Sequence, residues 1–214
     1  MNQFSSKQSS SLNGVIEIPG DKSISQRVLI LGSIAIGTTR IKGISYSDDV
    51  NNLIKNLKLL GVKIIKKKTS TIISGVGIGG LSSTKKNLYM GNSGTATRLM
   101  LGLLCNQNFE VKFIGDKSLS KRNMFEVMKP LRQMGAKINS KNNKLPITIK
   151  GFNETIPITY NQKIPSAQIK SAILFASLNS PGLTTVIENI STRNHTEILL
   201  KKFGAKIQTK NIKI

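Results

Sequence analysis

The sequence is poor in the residues that build several common kinds of site. Its single cysteine, Cys105, excludes an internal disulfide framework and a zinc site built from cysteines. It has no tryptophan, three tyrosines and seven phenylalanines, and no aromatic strand that could stack RNA bases. The first residues are polar and rich in serine, and no apolar run approaches the roughly 18 residues of a membrane span. We therefore expect a cytoplasmic protein with neither a secretory signal nor a membrane anchor.

Acidic residues are also scarce. The chain has 32 Lys and Arg against 10 Asp and Glu, which gives a formal net charge of +22. Such a field attracts phosphates, carboxylates, nucleic acids and anionic lipids, and by itself it identifies no partner. A basic nucleic-acid-binding module is therefore one alternative. Because the informative cations lie at glycine-rich helix starts, small anionic ligands are favoured over nucleic acid.

An internal repeat is the most informative pattern in the sequence. A short segment with Gly, then Val or Ala, then Lys-Ile recurs about every 70 residues, at positions 60–64, 134–138 and 203–207. Each copy follows apolar residues at helical spacing, so the glycine is predicted to end a helix before a strand begins. Each copy is also preceded by a helix rich in small and apolar residues, at about residues 25–36, 94–105 and 166–178.

The repeat predicts an α/β fold of three βαβαββ units. The units cover about residues 20–86, 87–157 and 158–214, and their helices are expected to pack around a shared interior. Short strands are predicted before the first helix of each unit, at residues 15–18, 88–90 and 158–160. In the third unit only residues 211–214 remain for the last strand, so the chain is expected to stop inside that hairpin.

The segments that open the three first helices carry the chemistry. Residues 20–27, 91–98 and 165–170 each offer hydroxyl or amide groups followed by a cation. A helix start presents unpaired N–H groups and the positive end of the helix dipole, so anions bind there. For one segment alone, simple helix caps and solvated cations would be a sufficient explanation. Recurrence at matching places in three units favours a shared anion site.

These segments resemble the signatures of the 5-enolpyruvylshikimate-3-phosphate synthase family. The first is Gly20-Asp21-Lys22-Ser23-Ile24-Ser25, followed one residue later by Arg27. Four further segments match in order and spacing, and together they cover nearly the whole chain: residues 91–98, 115–124, 166–172 and 192–197. The resemblance implies one domain of an inside-out α/β barrel, in which residues 1–19 contribute a strand to a second domain and residues 20–214 form the substrate-binding domain.

The resemblance also implies substrates and residue roles. The family transfers the enolpyruvyl group of phosphoenolpyruvate to the 5-hydroxyl of shikimate 3-phosphate and releases phosphate, without a metal or organic cofactor. Phosphoenolpyruvate would be bound by Lys22, Gly94, Arg122 and Gln168. Shikimate 3-phosphate would be bound by Lys22, Ser23, Arg27, Ser166, Ala167, Gln168 and Arg193. Lys22 would stand near both ligands and would be the catalytic residue of this half; the complete protein is expected to be a monomer and a target of glyphosate.

Three departures from the family pattern stand out. Gln26 occupies a position where the family commonly has His, and Asn123 one where it commonly has Pro. Family members run to roughly twice this length, and their second domain supplies a Glu base and further Arg and Lys ligands. The 214-residue chain alone is therefore expected to be inactive. Gly94 stands where glyphosate-resistant members often carry Ala, so its lack of a methyl group is expected to leave room for that inhibitor.

Three further features of the sequence allow other interpretations. UDP-N-acetylglucosamine enolpyruvyl transferase shares the repeated architecture, but it usually has a reactive cysteine on a mobile loop, whereas Cys105 ends an apolar helix and is expected to be an inert core residue. Residues 75–80 are glycine-rich, yet no apolar helix follows them, so a flexible connector is predicted. His195 could be a catalytic base, although a residue at a helix start is favoured.

Overall fold

A computed structural model describes residues 3–210 as a mixed α/β domain, which confirms the predicted fold class at that level. The helices of this range are α1 (Lys22–Ile34), α2 (Asp48–Leu59), α3 (Gly94–Leu104), α4 (Phe125–Gln133), α5 (Ala167–Ala176) and α6 (His195–Lys202). The strands are β1 (Ile36–Ile41), β2 (Lys63–Lys66), β3 (Thr71–Val76), β4 (Leu88–Tyr89), β5 (Glu110–Ile114), β6 (Lys137–Ser140), β7 (Ile147–Lys150), β8 (Thr159–Gln162) and β9 (Thr185–Glu188).

The strands form separate small sheets. The order in the first is β1-β3-β2, with antiparallel pairing throughout, and the order in the second is β4-β5-β7-β6, in which only β4 and β5 run parallel. The third pairs β8 with β9 in parallel. Side chains alternate between the faces of each sheet. Ile147 and Ile149 of β7 are accordingly fully buried, while Lys150 is exposed.

The repeated glycines end helices as the sequence predicts. Gly61, Gly135 and Gly204 follow α2, α4 and α6 with φ angles of 89°, 102° and 86°. This left-handed conformation costs glycine nothing, and it turns the chain out of the helix. After Gly61 and Gly135 the chain enters β2 and β6, so the helix-to-strand transition predicted from the repeat is confirmed for those two copies.

The core is centred on α3, which is apolar nearly all round. Its residues Leu99, Met100 and Leu101 are fully buried, and α1, α4 and α5 all contact it. The contact with α5 is close because α3 presents Gly102 to that helix: a β-carbon there would lie 2.2 Å from the backbone oxygen of Ala172. Helix α3 is therefore held between α1 and α5.

Gly102→Ala should destabilise the protein because the backbone of α5 occupies the space that the methyl group needs. Overpacking of this kind typically lowers the free energy of unfolding by about 1–3 kcal/mol. Urea denaturation followed by circular dichroism measures the change. Gly79→Ala is the matched control, since a β-carbon at Gly79 meets no atom within 4 Å. Equal stability of the two variants would show that α3 and α5 are not packed this closely.

Two of the predicted strands are not formed within residues 3–210. Residues 15–18 form no strand, and Val15, Ile16 and Ile18 are largely exposed. Residues 205–210, after Gly204, also form no strand. A strand is stable only when its backbone groups pair with a neighbour, and neither segment finds one within residues 3–210. The predicted last strand at residues 211–214 lies outside the described residues. No helix in the described part of the chain has the length and apolarity needed to cross a membrane.

Candidate anion-binding site

The three helix starts singled out in the sequence are all capped by side chains. Asp21 Oδ1 accepts a hydrogen bond from Ile24 N (2.7 Å) at α1, and Ser93 Oγ accepts one from Ala96 N (3.2 Å) at α3. Ser166 caps α5 in the same way. Each cap satisfies only one of the four free N–H groups of a helix start, so capping and anion binding are compatible.

A buried hydrogen bond joins the starts of α1 and α3. Gln26 donates through Nε2 to Ser93 Oγ at 2.9 Å, and Gln26 is fully buried. Ser93 is the capping residue of α3, so Gln26 fixes the position of one helix start against the other. The residue that departs from the family's common His is therefore part of the packing between these helices.

The starts of α3 and α5 are joined through Gln168. Arg98 donates through Nη1 to Gln168 Oε1 (2.9 Å) and to the backbone oxygen of Gly94 (3.1 Å). The Gln168 amide in turn donates through Nε2 to Thr95 Oγ1 at 3.1 Å. Because Arg98 can only donate, it holds the Gln168 oxygen towards itself and leaves the amide N–H groups facing the start of α3. Thr95 accepts from one of those N–H groups, and the second finds no acceptor within residues 3–210.

Two guanidinium groups converge over Gly94. A β-carbon on Gly94 would lie 2.8 Å from Arg98 Nη1 and 3.0 Å from Arg122 Nη1. Arg122 also donates to Asn92 Oδ1 at 2.8 Å. Burial and the nearby charge of Arg122 lower the pKa of the Arg98 guanidinium from its usual range. Two cations held this close repel each other, and an anion bound beside Gly94 would relieve that repulsion.

Arg27 lies beneath the surface between three helices. It is 3% exposed, and it donates to Thr196 Oγ1 (2.6 Å), to the Ser23 backbone oxygen (3.0 Å) and to Ser171 Oγ (3.1 Å). Burial lowers the pKa of Arg27, and the charge of Arg193 lowers it further, whereas Glu197 and Asp21 act in the opposite direction. Arg193 is exposed, and its charge lies close enough to Arg27 to act on that guanidinium group.

Lys22 is held by an ion pair that the sequence did not predict. Its Nζ lies 2.8 Å from Asp49 Oδ2, and half of the Lys22 side chain is exposed. Ser47 holds the N-cap position of α2, and Asp48 and Asp49 lie in the first turn of that helix. Asp49 and Asn92, the partner of Arg122, line the same surface cavity. Lys22 and Arg122 therefore each contact a residue of this cavity.

A second depression lies on the other side of the α3 start. Its lining includes Arg98, Asn123, Ser166 and Gln168. Asn123 Oδ1 accepts from Phe125 N at 2.7 Å, so this residue orders the start of α4 where the family commonly has proline. Asn92, Thr95 and Arg98 all belong to the second signature segment, but the resemblance gives none of them an individual binding role.

Three further predictions concern residues outside this site. Cys105 is fully buried at the end of α3, and burial raises the pKa of its thiol, as expected of an inert core cysteine. His195 is the first residue of α6, which confirms its place at a helix start. The connector predicted over residues 75–80 is confirmed only for residues 77–80, which open no helix, because residues 75 and 76 belong to β3.

The chain is similar in sequence to one group of known enzymes. Residues 6–214 match the family model described as EPSP synthase (3-phosphoshikimate 1-carboxyvinyltransferase). A 3-phosphoshikimate 1-carboxyvinyltransferase of Bartonella henselae is 50% identical over 202 residues, which are 94% of this chain and 46% of the relative. The enzyme of the same name from Streptococcus pyogenes is 47% identical over 198 residues, 92% of this chain and 46% of the relative.

Solved structures agree with this comparison. An EPSP synthase from Acinetobacter baumannii superposes with a TM-score of 0.88 at 42% identity, over 92% of this chain and 45% of that protein. A second structure of EPSP synthase from the same species gives a TM-score of 0.87 at 40% identity, over 92% of this chain and 46% of that protein. The chain thus spans about half the length of the relatives it matches.

Proposed function

The chain belongs to the EPSP synthase family, and from that premise we propose that it forms half of a 3-phosphoshikimate 1-carboxyvinyltransferase. In this reaction the 5-hydroxyl of shikimate 3-phosphate attacks the central carbon of phosphoenolpyruvate while its methylene carbon is protonated. The tetrahedral intermediate then expels phosphate. The observation that carries the proposal is the convergence of cationic and amide donors at the starts of α1, α3 and α5.

The residue roles follow the two clusters of donors. The cluster around Gly94, with Lys22, Arg122 and Gln168, is proposed to bind phosphoenolpyruvate. Shikimate 3-phosphate is proposed to occupy the neighbouring cluster. Its ligands would be Lys22, Ser23, Arg27, Ser166, Ala167, Gln168 and Arg193. Gln168 belongs to both sets, which suits its place between the starts of α3 and α5.

The donors have two tasks in this chemistry. Both substrates are polyanions, so cations must offset their mutual repulsion before they can meet. Fixed donors also orient the hydroxyl against the enol carbon, which makes the step effectively unimolecular. Lys22 would stand between the ligands and stabilise charge that develops during the transfer. The donors named here need no metal or organic cofactor for these tasks.

We also infer that the domain consists of three βαβαββ units, over about residues 20–86, 87–157 and 158–214. The sheet order β1-β3-β2 of the first unit repeats as β5-β7-β6 in the second. The parallel pair β4 and β5 of the second unit repeats as β8 and β9 in the third. Residues 1–19 are assigned to the second domain of the family fold. The exposed apolar side chains of residues 15–18 would then pack against residues outside this chain.

Isothermal titration of the 214-residue chain tests the function. We expect shikimate 3-phosphate to bind more tightly than inorganic phosphate, because Arg27, Arg193 and the α5 start would contact the phosphate and the ring together. We expect no turnover from this chain alone, since a base and further cations would come from outside it. Equal affinity for the two ligands would contradict the proposal.

Gly94→Ala should weaken binding of phosphoenolpyruvate and of glyphosate to a full-length enzyme that carries this sequence. The new methyl group would lie 2.8 Å from Arg98 Nη1 and 3.0 Å from Arg122 Nη1, so both guanidinium groups must move. We expect the affinity to fall about tenfold, or by roughly 1.4 kcal/mol, because the methyl group narrows the space beside residue 94 that the ligand would occupy. Inhibition by glyphosate, assayed in competition with phosphoenolpyruvate, measures the affinity for each ligand. Unchanged affinity for both ligands would show that neither binds beside Gly94.

A further inference from the structure

A buried ammonium group lies behind the candidate site, in a place to which the proposed binding roles assign nothing. The side chain of Lys170 is 6% exposed, and its Nζ lies 2.7 Å from Glu188 Oε2 and 2.6 Å from Glu197 Oε1. A buried cation is stable only when it is paired and hydrogen-bonded. Together with Arg27, which Glu197 stabilises, Lys170 makes up a balanced set of two cations and two carboxylates.

The two carboxylates are the ends of one short segment. Glu188 is the last residue of β9, and Glu197 lies in the first turn of α6. Residues 189–194 connect β9 to α6, and within this segment the Thr192 hydroxyl donates to Glu188 Oε1. The ammonium of Lys170 therefore contacts a carboxylate at each end of the segment. The hydroxyl of Thr192, in the middle of the segment, bonds to one of these carboxylates, that of Glu188. Arg193 follows Thr192 directly.

Lys170 also connects this segment to the helix that carries the other binding residues. It lies in α5, about one turn after Ser166, Ala167 and Gln168. Its neighbour Ser171 shares hydrogen bonds with Arg27 (3.1 Å) and with Thr196 (2.6 Å) of α6. The start of α5 and the segment that carries Arg193 are thus joined at one buried point.

We propose that Lys170 is a positioning residue that sets Arg193 against Arg27 and the start of α5, so that these groups bind one phosphate together. This inference rests on the proposed function, because it takes shikimate 3-phosphate as the ligand. The ammonium of Lys170 is already paired with Glu188 and Glu197, so it would not touch the ligand. Loss of its charge would leave Glu188 and Glu197 facing each other, and their repulsion would move the Arg193 segment.

The test is a double-mutant cycle on affinity for shikimate 3-phosphate, measured by isothermal titration of the 214-residue chain. Lys170→Met should weaken binding by about tenfold in the parent chain. In the Arg193→Ala background the same substitution should have almost no further effect, since the residue through which it acts is already gone. Lys201→Met, an equal loss of charge at an exposed position of α6, is the matched control and should leave affinity nearly unchanged.

Two further variants keep the result decisive if Lys170→Met folds poorly. Lys170→Arg retains the charge and should restore most of the affinity. Glu188→Gln leaves the ammonium paired with Glu197, so it should give a smaller loss that also disappears in the Arg193→Ala background. Amide hydrogen exchange should rise in residues 189–194 before it rises elsewhere.

The outcomes separate this inference from the proposed function. If the parent chain binds shikimate 3-phosphate no better than inorganic phosphate, the proposed function is wrong. If the parent chain does show that preference, but Lys170→Met or Glu188→Gln costs the same affinity with and without Arg193, the positioning role is wrong. Unchanged affinity in both variants would overturn it equally.

Discussion

Arg27→Ala should lower the free energy of unfolding by about 3–5 kcal/mol, as is typical when one member of a buried charged network is removed. Arg27 donates to Ser23, Ser171 and Thr196, and so it links α1 to α5 and α6. Its removal leaves two buried hydroxyl groups short of a partner and takes away a cation that balances Glu197. It also opens a cavity that water or rearranged side chains must fill.

Urea denaturation followed by circular dichroism measures this loss. Arg40→Ala is the control, because Arg40 carries the same charge on an exposed position of β1. Arg27→Lys should recover only part of the stability, since an ammonium cannot reproduce three hydrogen bonds in the geometry of the guanidinium fork. If Arg27→Ala and Arg40→Ala unfolded at the same urea concentration, the buried position of Arg27 would be wrong.

Arg122→Ala should weaken binding of phosphoenolpyruvate by about 10–100-fold, which corresponds to the roughly 1.5–3 kcal/mol of a hydrogen bond to a charged group. Arg122 is the exposed member of the guanidinium pair over Gly94, and its other partner, Asn92, is neutral. No carboxylate is recorded against it in the described part of the chain, so an anionic ligand can pair with it fully. Its removal should change stability little because the side chain is at the surface.

The matched control is Lys121→Ala, one residue earlier. It removes the same unit charge from the same exposed turn. General attraction of anions by the net charge of +22 would therefore fall equally in the two variants. Titration calorimetry or competition with a fluorescent anion measures both. If both variants lost the same affinity, the overall positive charge of the chain would attract the ligand, and Arg122 would make no specific contact with it.

The sequence predicted best those features that depend on neighbouring residues along the chain. The starts of α1, α3 and α5 were found because capping groups and glycines stand beside apolar helical patterns. The ends at Gly61, Gly135 and Gly204 were found because a left-handed residue must follow a helix there. Residues 15–18 show the limit of such reasoning, since the repeat predicts a strand before α1 but identifies no neighbouring strand within this chain.

The links between helices could not be predicted, because they depend on packing. Gln26 and Ser93 are 67 positions apart, and Arg98 and Gln168 are 70 apart. The ammonium of Lys170 could equally have been solvated, as most lysines are. Asp49 lies in the first turn of α2, and only the approach of α1 to α2 gives it Lys22 as a partner. The motif segments thus identified the residues, whereas the contacts among them came from the fold.

The central claim is that the starts of α1, α3 and α5 face one cleft that holds both substrates, and an NMR titration of the 214-residue chain with each substrate tests it most directly. Phosphoenolpyruvate should shift the backbone amides of residues 93–96, and shikimate 3-phosphate should shift those of residues 22–25 and 166–169 with a single dissociation constant. Side-chain signals of Arg27 and Gln168 should follow the same curve. Shifts confined to one of these segments, or spread over the lysine-rich surface at residues 66–68 and 85–86, would contradict the claim.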